Sequence, residues 1–291
     1  MRGTRLGPTG KLLQHVHAVA KIANSQLVWL EPTREEPVTT NPVLEAMLRR
    51  KSIRHYTSEM PTDDVLTTIV RAGQQAPFAA QLGSLLLSRK QEKNPFGAPL
   101  LFTICADIHR MECIMQARNW KLVTNDLSLL LFGMQDAAYM AQNIVIAAES
   151  LGLGSCFLGG APYHAEEIAN EYNLPQRVFP IVQLTMGYPD ENPPARPRYP
   201  IAFALFEDTY PELSDERVNE AMSVMDNGYL AQQYYARANY KIPLQGEREE
   251  TFTFENYGWT EHMCRKWGQW FSSPDDLLVQ FEKRGFRVTK T

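Results

Sequence analysis

Apolar residues fall into helical spacing from residue 41 onward. Asn41 can cap a helix, Pro42 suits its first turn, and Leu44, Met47 and Leu48 share one face. A second helix is predicted after Thr62. Asp63 and Asp64 favour its positive end, and Val65, Leu66, Ile69 and Val70 form its apolar stripe. Residues 85–87 and 100–105 are short apolar runs and read as strands. From 127 to 151 the chain is apolar on nearly every side, which predicts a helix buried all round and ended by Gly152 and Gly154. Residues 155–158 read as a strand running into Gly159-Gly160, residues 166–172 as a helix, and residues 178–186 as a strand closed by Gly187-Tyr188-Pro189.

Past residue 210 the pattern turns polar. A helix rich in Gln and Tyr carries Tyr229, Tyr234 and Tyr235, a loose loop is expected over 241–256, and a last helix starts near Trp259. The charged, proline-bearing stretch from Glu31 to Pro37 reads as a linker. Three parts are expected: an extension and linker over 1–40, a core over 41–206, and a helical arm over 207–291. No repeat is evident.

Composition narrows the partners. Apolar residues are 44% of the chain and charged ones 21%, enough for a substantial core. The net charge of −4 gives no basic bias, so a nucleic-acid partner is not expected. The four cysteines form no CxxC pair and no zinc spacing, so no metal site is expected, and they suit a reducing, cytoplasmic setting. No run reaches the roughly 18 apolar residues of a membrane span. The first 30 residues hold Arg2, Arg5, Lys11 and Lys21 and no Asp or Glu. They read either as a targeting peptide or as a docked extension.

Two glycine patterns fail as phosphate loops. Gly7-Pro8-Thr9-Gly10-Lys11 has the wrong spacing and Leu12 where Ser or Thr belongs. Gly152-Leu153-Gly154 with Gly159 sits after a helix and before a strand, the reverse of the dinucleotide order. Three other features point to a phosphorylated, flat ligand. Arg50-Lys51-Ser52-Ile53-Arg54 packs cations and a hydroxyl behind a helix, although a solvated helix end would look the same. Arg196-Pro197-Arg198 holds two arginines in extended geometry, as a surface turn also would. Gly159-Gly160 leaves backbone N–H groups open to a planar ring, or forms a plain turn.

Longer stretches carry a resemblance. RKSIRHYTSE (50–59), YMAQNIVIAAESLGLGSCFLGG (139–160), LPQRVFPIVQLTMGYPDENPPARPRYP (174–200) and the ending around Tyr257–His262 and Lys283–Phe286 resemble the nitroreductase superfamily. The branch is that of the major oxygen-insensitive NADPH nitroreductase and flavin reductase P, and the match runs from 42 to 287. The resemblance implies an α+β fold: a mixed, mainly antiparallel sheet flanked by helices, in an intertwined homodimer with a C-terminal helical arm. It implies FMN as cofactor and NADPH or NADH as donor. Two electrons would pass in ping-pong order, by hydride transfer through flavin N5, to nitroaromatics, quinones or free flavin. The flavin would carry the chemistry, with no catalytic side chain and no metal.

By the same resemblance Arg50, Ser52, Arg196 and Arg198, with Lys51 beside them, would hold the FMN phosphate. Arg54 would sit by the pyrimidine end. Phe157, Leu158, Gly159 and Gly160 would line the ring, and Arg237 would bind the NADPH phosphate. Gln91 is the nearest candidate for a ring-contacting glutamine, in a loop shorter than the family's. The stretch 76–83, APFAAQLG, lacks the hydroxyl residues that touch the ribityl chain, and Gln81 could substitute. Lys241 and Arg248 are both open as second NADPH contacts. Two other readings stay open: a non-catalytic flavin-binding redox sensor, and a dedicated flavin reductase feeding a partner enzyme.

Overall fold

The computed structural model describes residues 41–269 and 273–288, and these belong to one unit, Asn41–Thr291. The reading of residues 1–40 lies outside the described residues. Helix α1 (Pro42–Arg49) starts where its cap predicts: Asn41 Oδ1 accepts from Val43 N at 3.0 Å and Leu44 N at 3.1 Å. Its expected apolar face is largely uncovered. Ala46 is the buried residue, while Val43, Met47 and Leu48 are exposed within this chain. Helix α2 (Asp63–Gln74) is capped by Thr62 and buries Ile69, with Val65, Leu66 and Val70 packed around it.

Strands β1 (Gly83–Ser88), β2 (Leu100–Asp107), β3 (Gly154–Leu158) and β4 (Val178–Gly187) form one sheet in the order β1-β2-β4-β3. Every neighbouring pair is antiparallel. Pro180 sits in β4 at the register shift between Ile104 and Cys105, a place where a missing ladder N–H is tolerated. A parallel bridge from Ser52 to Ser155 adds the mixed character expected and covers the free edge of β3.

Helix α4 (Asp126–Ser150) lies across this sheet. Its Ala137, Ala141, Ile144, Val145 and Ala148 pack with Leu100, Phe102, Ile104, Leu184 and Met186. The expectation that this helix is buried all round is corrected within the chain. Leu127, Leu131, Phe132 and Tyr139 are exposed, and with Gln135, Ala138 and Gln142 they form a stripe at helical spacing. One helix can turn only part of its circumference to one sheet. The helix ends as predicted, with Gly152 in the left-handed region at φ +81°.

Helix α3 (His109–Ala117) follows β2 and was not anticipated from the pattern. Helix α5 (Ala165–Tyr172) precedes β4. The arm holds α6 (Asp215–Ala231), α7 (Tyr234–Arg237), α8 (Trp259–Gln269) and α9 (Pro274–Lys283). The single Gln/Tyr-rich helix expected here is two, broken at Gln233, whose φ is +50°. The chain then returns to the core. Phe281 and Phe286 pack on Phe179, and Arg284 lends its guanidinium to the carbonyls of Leu174, Pro175 and Val178.

Candidate functional site

The site grows from residues 50–57, which run between β3 and the turn after β4. Ile53 N donates to Ser155 O at 2.9 Å, Thr57 N to Tyr188 O at 2.9 Å, and Asp190 N to His55 O at 2.9 Å. Glu191 Oε1 accepts from the backbone of both Arg54 and His55, and Lys51 Nζ donates to Asn192 Oδ1. Tyr56 is half-buried beneath, its hydroxyl bonded to Ile53 O and Thr185 Oγ1, and desolvation pushes that phenol well above its ordinary range. Gly154 permits the close approach, because a methyl group there would collide with the Ile53 side chain.

This frame fixes the backbone and leaves the cations unspent. Among the described residues neither Arg50 nor Arg54 forms a salt bridge. Glu149 shares the neighbourhood; burial raises its carboxyl above the ordinary range, against the pull of Arg50, Arg49 and Lys51. Arg196 and Arg198 lie farther along the same segment, against the arm. Arg196 Nη1 donates to Gln232 Oε1 at 2.7 Å, and its guanidinium stands 4.0 Å from the centre of the Tyr234 ring. Arg198 Nη1 donates to the carbonyls of Arg196 and Pro197, both at 3.0 Å. Pro197 seats on Gly228 of α6, where a side chain would not fit. The burial that raises the Tyr229 phenol is opposed by both arginines, which places their charge beside it.

At the end of β3, Phe157 is exposed, Leu158 is half-buried, and Gly159 and Gly160 face open space. Beside them opens a cavity of about 360 Å³. It is lined by Leu158, Gly160 and His164, by Leu101 and Gln183 of the sheet, and by Lys93 and Asn94 of the β1–β2 turn. Gln91 lies on that turn but does not line the cavity. The stretch 76–83 is fixed instead by Asp136, whose buried carboxylate accepts from Ala79 N at 2.6 Å, Ala80 N at 3.1 Å and Leu82 N at 2.9 Å.

In the arm, Arg237 is exposed at the end of α7. Lys241 is committed elsewhere: its ammonium meets Phe252 O and lies 3.3 Å from Glu250. The loop at 241–256 is therefore not loose. Buried Arg265 holds it through Glu250 (2.7 and 2.8 Å) and Ile242 O (2.9 Å), with Glu261 (2.7 Å) steadying the guanidinium from its own helix.

Sequence reasoning missed Glu191, Asn192 and His164.

Comparisons with known proteins bear on the fold and the family likeness. The model of the Nitroreductase family matches residues 80–188. The oxygen-insensitive NADPH nitroreductase of Salmonella typhimurium is 28% identical over 239 residues, 77% of this chain and 90% of that protein. The FMN reductase (NADPH) of Bacillus subtilis is 26% identical over 229 residues, 73% of this chain and 89% of that one. The solved structure of NfrA2 from B. megaterium superposes with a TM-score of 0.73 at 25% identity, covering 86% of this chain and 100% of that one. In sequence over residues 80–188 and in fold over most of its described length, the chain is similar to proteins of the nitroreductase family.

Proposed function

We propose that this chain holds FMN and uses it to pass two electrons from NADPH or NADH to a small electron-poor acceptor: a nitroaromatic, a quinone or free flavin. The observation that carries the reading is the donor set. Among the described residues Arg50, Arg54 and Arg198 form no salt bridge, Ser52 bridges to Ser155 of β3 from the segment that carries Arg50 and Arg54, and that strand runs into Gly159-Gly160, which face open space. A phosphate dianion needs converging charge-assisted donors, and a flat ring needs bare backbone at van der Waals distance. The residues fit the cofactor. Relatives named for FMN reduction and for NADPH-dependent nitro reduction support the same reading.

Bound FMN supplies the two-electron relay between nicotinamide and acceptor. The chain supplies position and field. Arg50, Ser52, Arg196 and Arg198 hold the phosphate, with Lys51 steadying the turn through Asn192. Arg54, its backbone clamped by Glu191, would hold positive charge at the cofactor's ring. The N–H groups of Gly159 and Gly160 would be available to the ring, and Phe157 and Leu158 would line it. Gln91 would reach the ring only if its turn moved toward the cavity. Arg237 reads the 2′-phosphate of NADPH.

A second copy of the chain completes the site, seated on the exposed face of α4. The four cysteines are free, which suits the cytoplasm.

The test is an absorbance spectrum of the purified protein before and after NADPH is added without oxygen. A flavin band that bleaches within seconds is expected. A colourless protein that takes up no added FMN would overturn the reading. Arg237→Ala should raise KM for NADPH much more than for NADH, and equal effects on both would remove Arg237 as the phosphate reader.

A further inference from the structure

We propose that His164, oriented by Glu167, delivers the proton that completes acceptor reduction; the role rests on the flavin reading above. The cavity at the end of β3 joins this histidine to the strand end proposed to carry the flavin ring. Leu158 and Gly160 line one side, and His164, Glu167 and Ile168 another. Its volume of about 360 Å³ suits a one- or two-ring aromatic. Leu101 and Ile168 give it apolar wall, and Gln183, pinned to Thr103 Oγ1 at 3.1 Å, adds a fixed amide.

His164 ends the short 3-10 turn Ala161–His164, four residues beyond Gly160. Its Nδ1 lies 3.2 Å from Glu167 Oε2. A carboxylate at one ring nitrogen orients the imidazole and leaves Nε2 for the acceptor. The side chain is 62% accessible, so water can restore the proton after each turnover.

The chemistry requires a proton, which a side chain in the cavity can deliver. Reduction of a quinone to a hydroquinone consumes two electrons and two protons. The electron pair and one proton come from the reduced cofactor. The second proton goes from His164 Nε2 to the carbonyl oxygen as its C=O bond becomes C–O–H, and the neutral imidazole takes a proton back from water. A nitro group follows the same balance, with an N–O bond breaking and water leaving.

The other charged groups on the cavity are Glu167 and Glu171 of α5 and Lys93 of the turn. Helix α9, also packed on this turn, carries Asp275, Asp276, Glu282 and Lys283, and its Gln280 accepts from Glu166 N at 3.0 Å. Histidine is the side-chain type that ordinarily changes charge between pH 5 and 8, where a general acid is most effective.

The experiment separates the half-reactions. Protein reduced by NADPH without oxygen is mixed with menadione, and flavin reoxidation is followed across pH 5.5 to 8.5, spanning the ordinary histidine range. Wild-type reoxidation should slow as pH rises. His164→Gln should be about 100-fold slower at low pH and nearly pH-independent, and Glu167→Gln should fall between. A second readout needs no turnover. In the oxidised holoprotein, p-nitrobenzoate should shift the His164 ring 15N signals.

Unchanged reoxidation in His164→Gln, or loss of the pH dependence in Lys93→Met instead, overturns the assignment. So does a His164 signal indifferent to p-nitrobenzoate. A wild type that holds no flavin or is not bleached by NADPH overturns the flavin reading itself, so the two failures are distinguishable.

Discussion

Arg196 and Arg198 are two residues apart and do different work. Arg196 gives Nη1 to Gln232 and lays its guanidinium on the Tyr234 ring, which ties the phosphate segment to the arm and leaves its other N–H groups for the phosphate. Arg198 binds only the backbone carbonyls of Arg196 and Pro197 through Nη1, so Nη2 and Nε remain for a ligand. Arg198→Ala should therefore weaken FMN retention by ~1.5–3 kcal/mol, about 10- to 100-fold in Kd, while leaving the fold intact. Equilibrium dialysis against FMN measures it, and equal retention by mutant and wild type would refute the phosphate assignment. The cations were legible in the sequence because three of them crowd five residues at Arg50–Arg54. Their clamp was not. Glu191 meets the Arg54 and His55 backbone from more than 130 positions away, and nothing local marks a turn glutamate as a long-range acceptor.

At the scale of elements, the readable pieces were those whose signals are local. Asn41, Thr62 and Gly152 mark ends through their own caps. Helix α3 escaped because it has no side-chain cap bond and no buried residue, so no stripe shows. The arm loop escaped because its polar composition hides a buried anchor, Arg265. That anchor is acid-sensitive. The Arg265 guanidinium, then the Phe252 N–H, hold the Glu250 carboxyl down to about 2 from an ordinary 4.5. A lowered folded-state value means that the contact contributes fully above pH 4.5 and is lost as pH falls toward 2. Hydrogen exchange over 241–256, corrected for intrinsic rate, should rise across that window, and Glu250→Gln should remove the rise. A loop equally protected at both ends of the window would deny the contact any role. The strand edge gives a second prediction. Gly154→Ala forces Ile53 away from β3 and with it the backbone of Arg50–Arg54. Retained FMN should fall at least 10-fold with a smaller loss of thermal stability, since one contact moves while the sheet stays paired. A mutant that binds FMN as wild type does would show that the cradle tolerates the shift.

The molecule as a whole leaves one face unfinished. The two apolar clusters are closed within the chain, one under α4 and one where Phe281 and Phe286 dock on Phe179. Yet Leu127, Leu131, Phe132 and Tyr139 stand 46–54% exposed along α4, and Trp120 and Val123 of the preceding loop are exposed at 70% and 92%. A contiguous apolar stripe of this length marks an interface, since burying one such side chain fully contributes about 1.5–3 kcal/mol. Met47 and Leu48 of α1 show the same imbalance: both are exposed among the described residues, although α1 packs against α4. A two-fold pairing would cover like with like. It would also explain why a helix that reads from sequence as buried all round is only half covered here: the pattern registers burial in the assembly and cannot say which chain provides it. Leu131→Asp sets a carboxylate in the middle of the stripe without touching the sheet side of α4. Light scattering should give twice the chain mass for wild type and a single chain mass for Leu131→Asp, with unchanged circular dichroism and weakened FMN retention. A monomeric wild type would assign the stripe to another occupant. A monomeric Leu131→Asp that keeps its flavin would show that each chain builds its cofactor site alone.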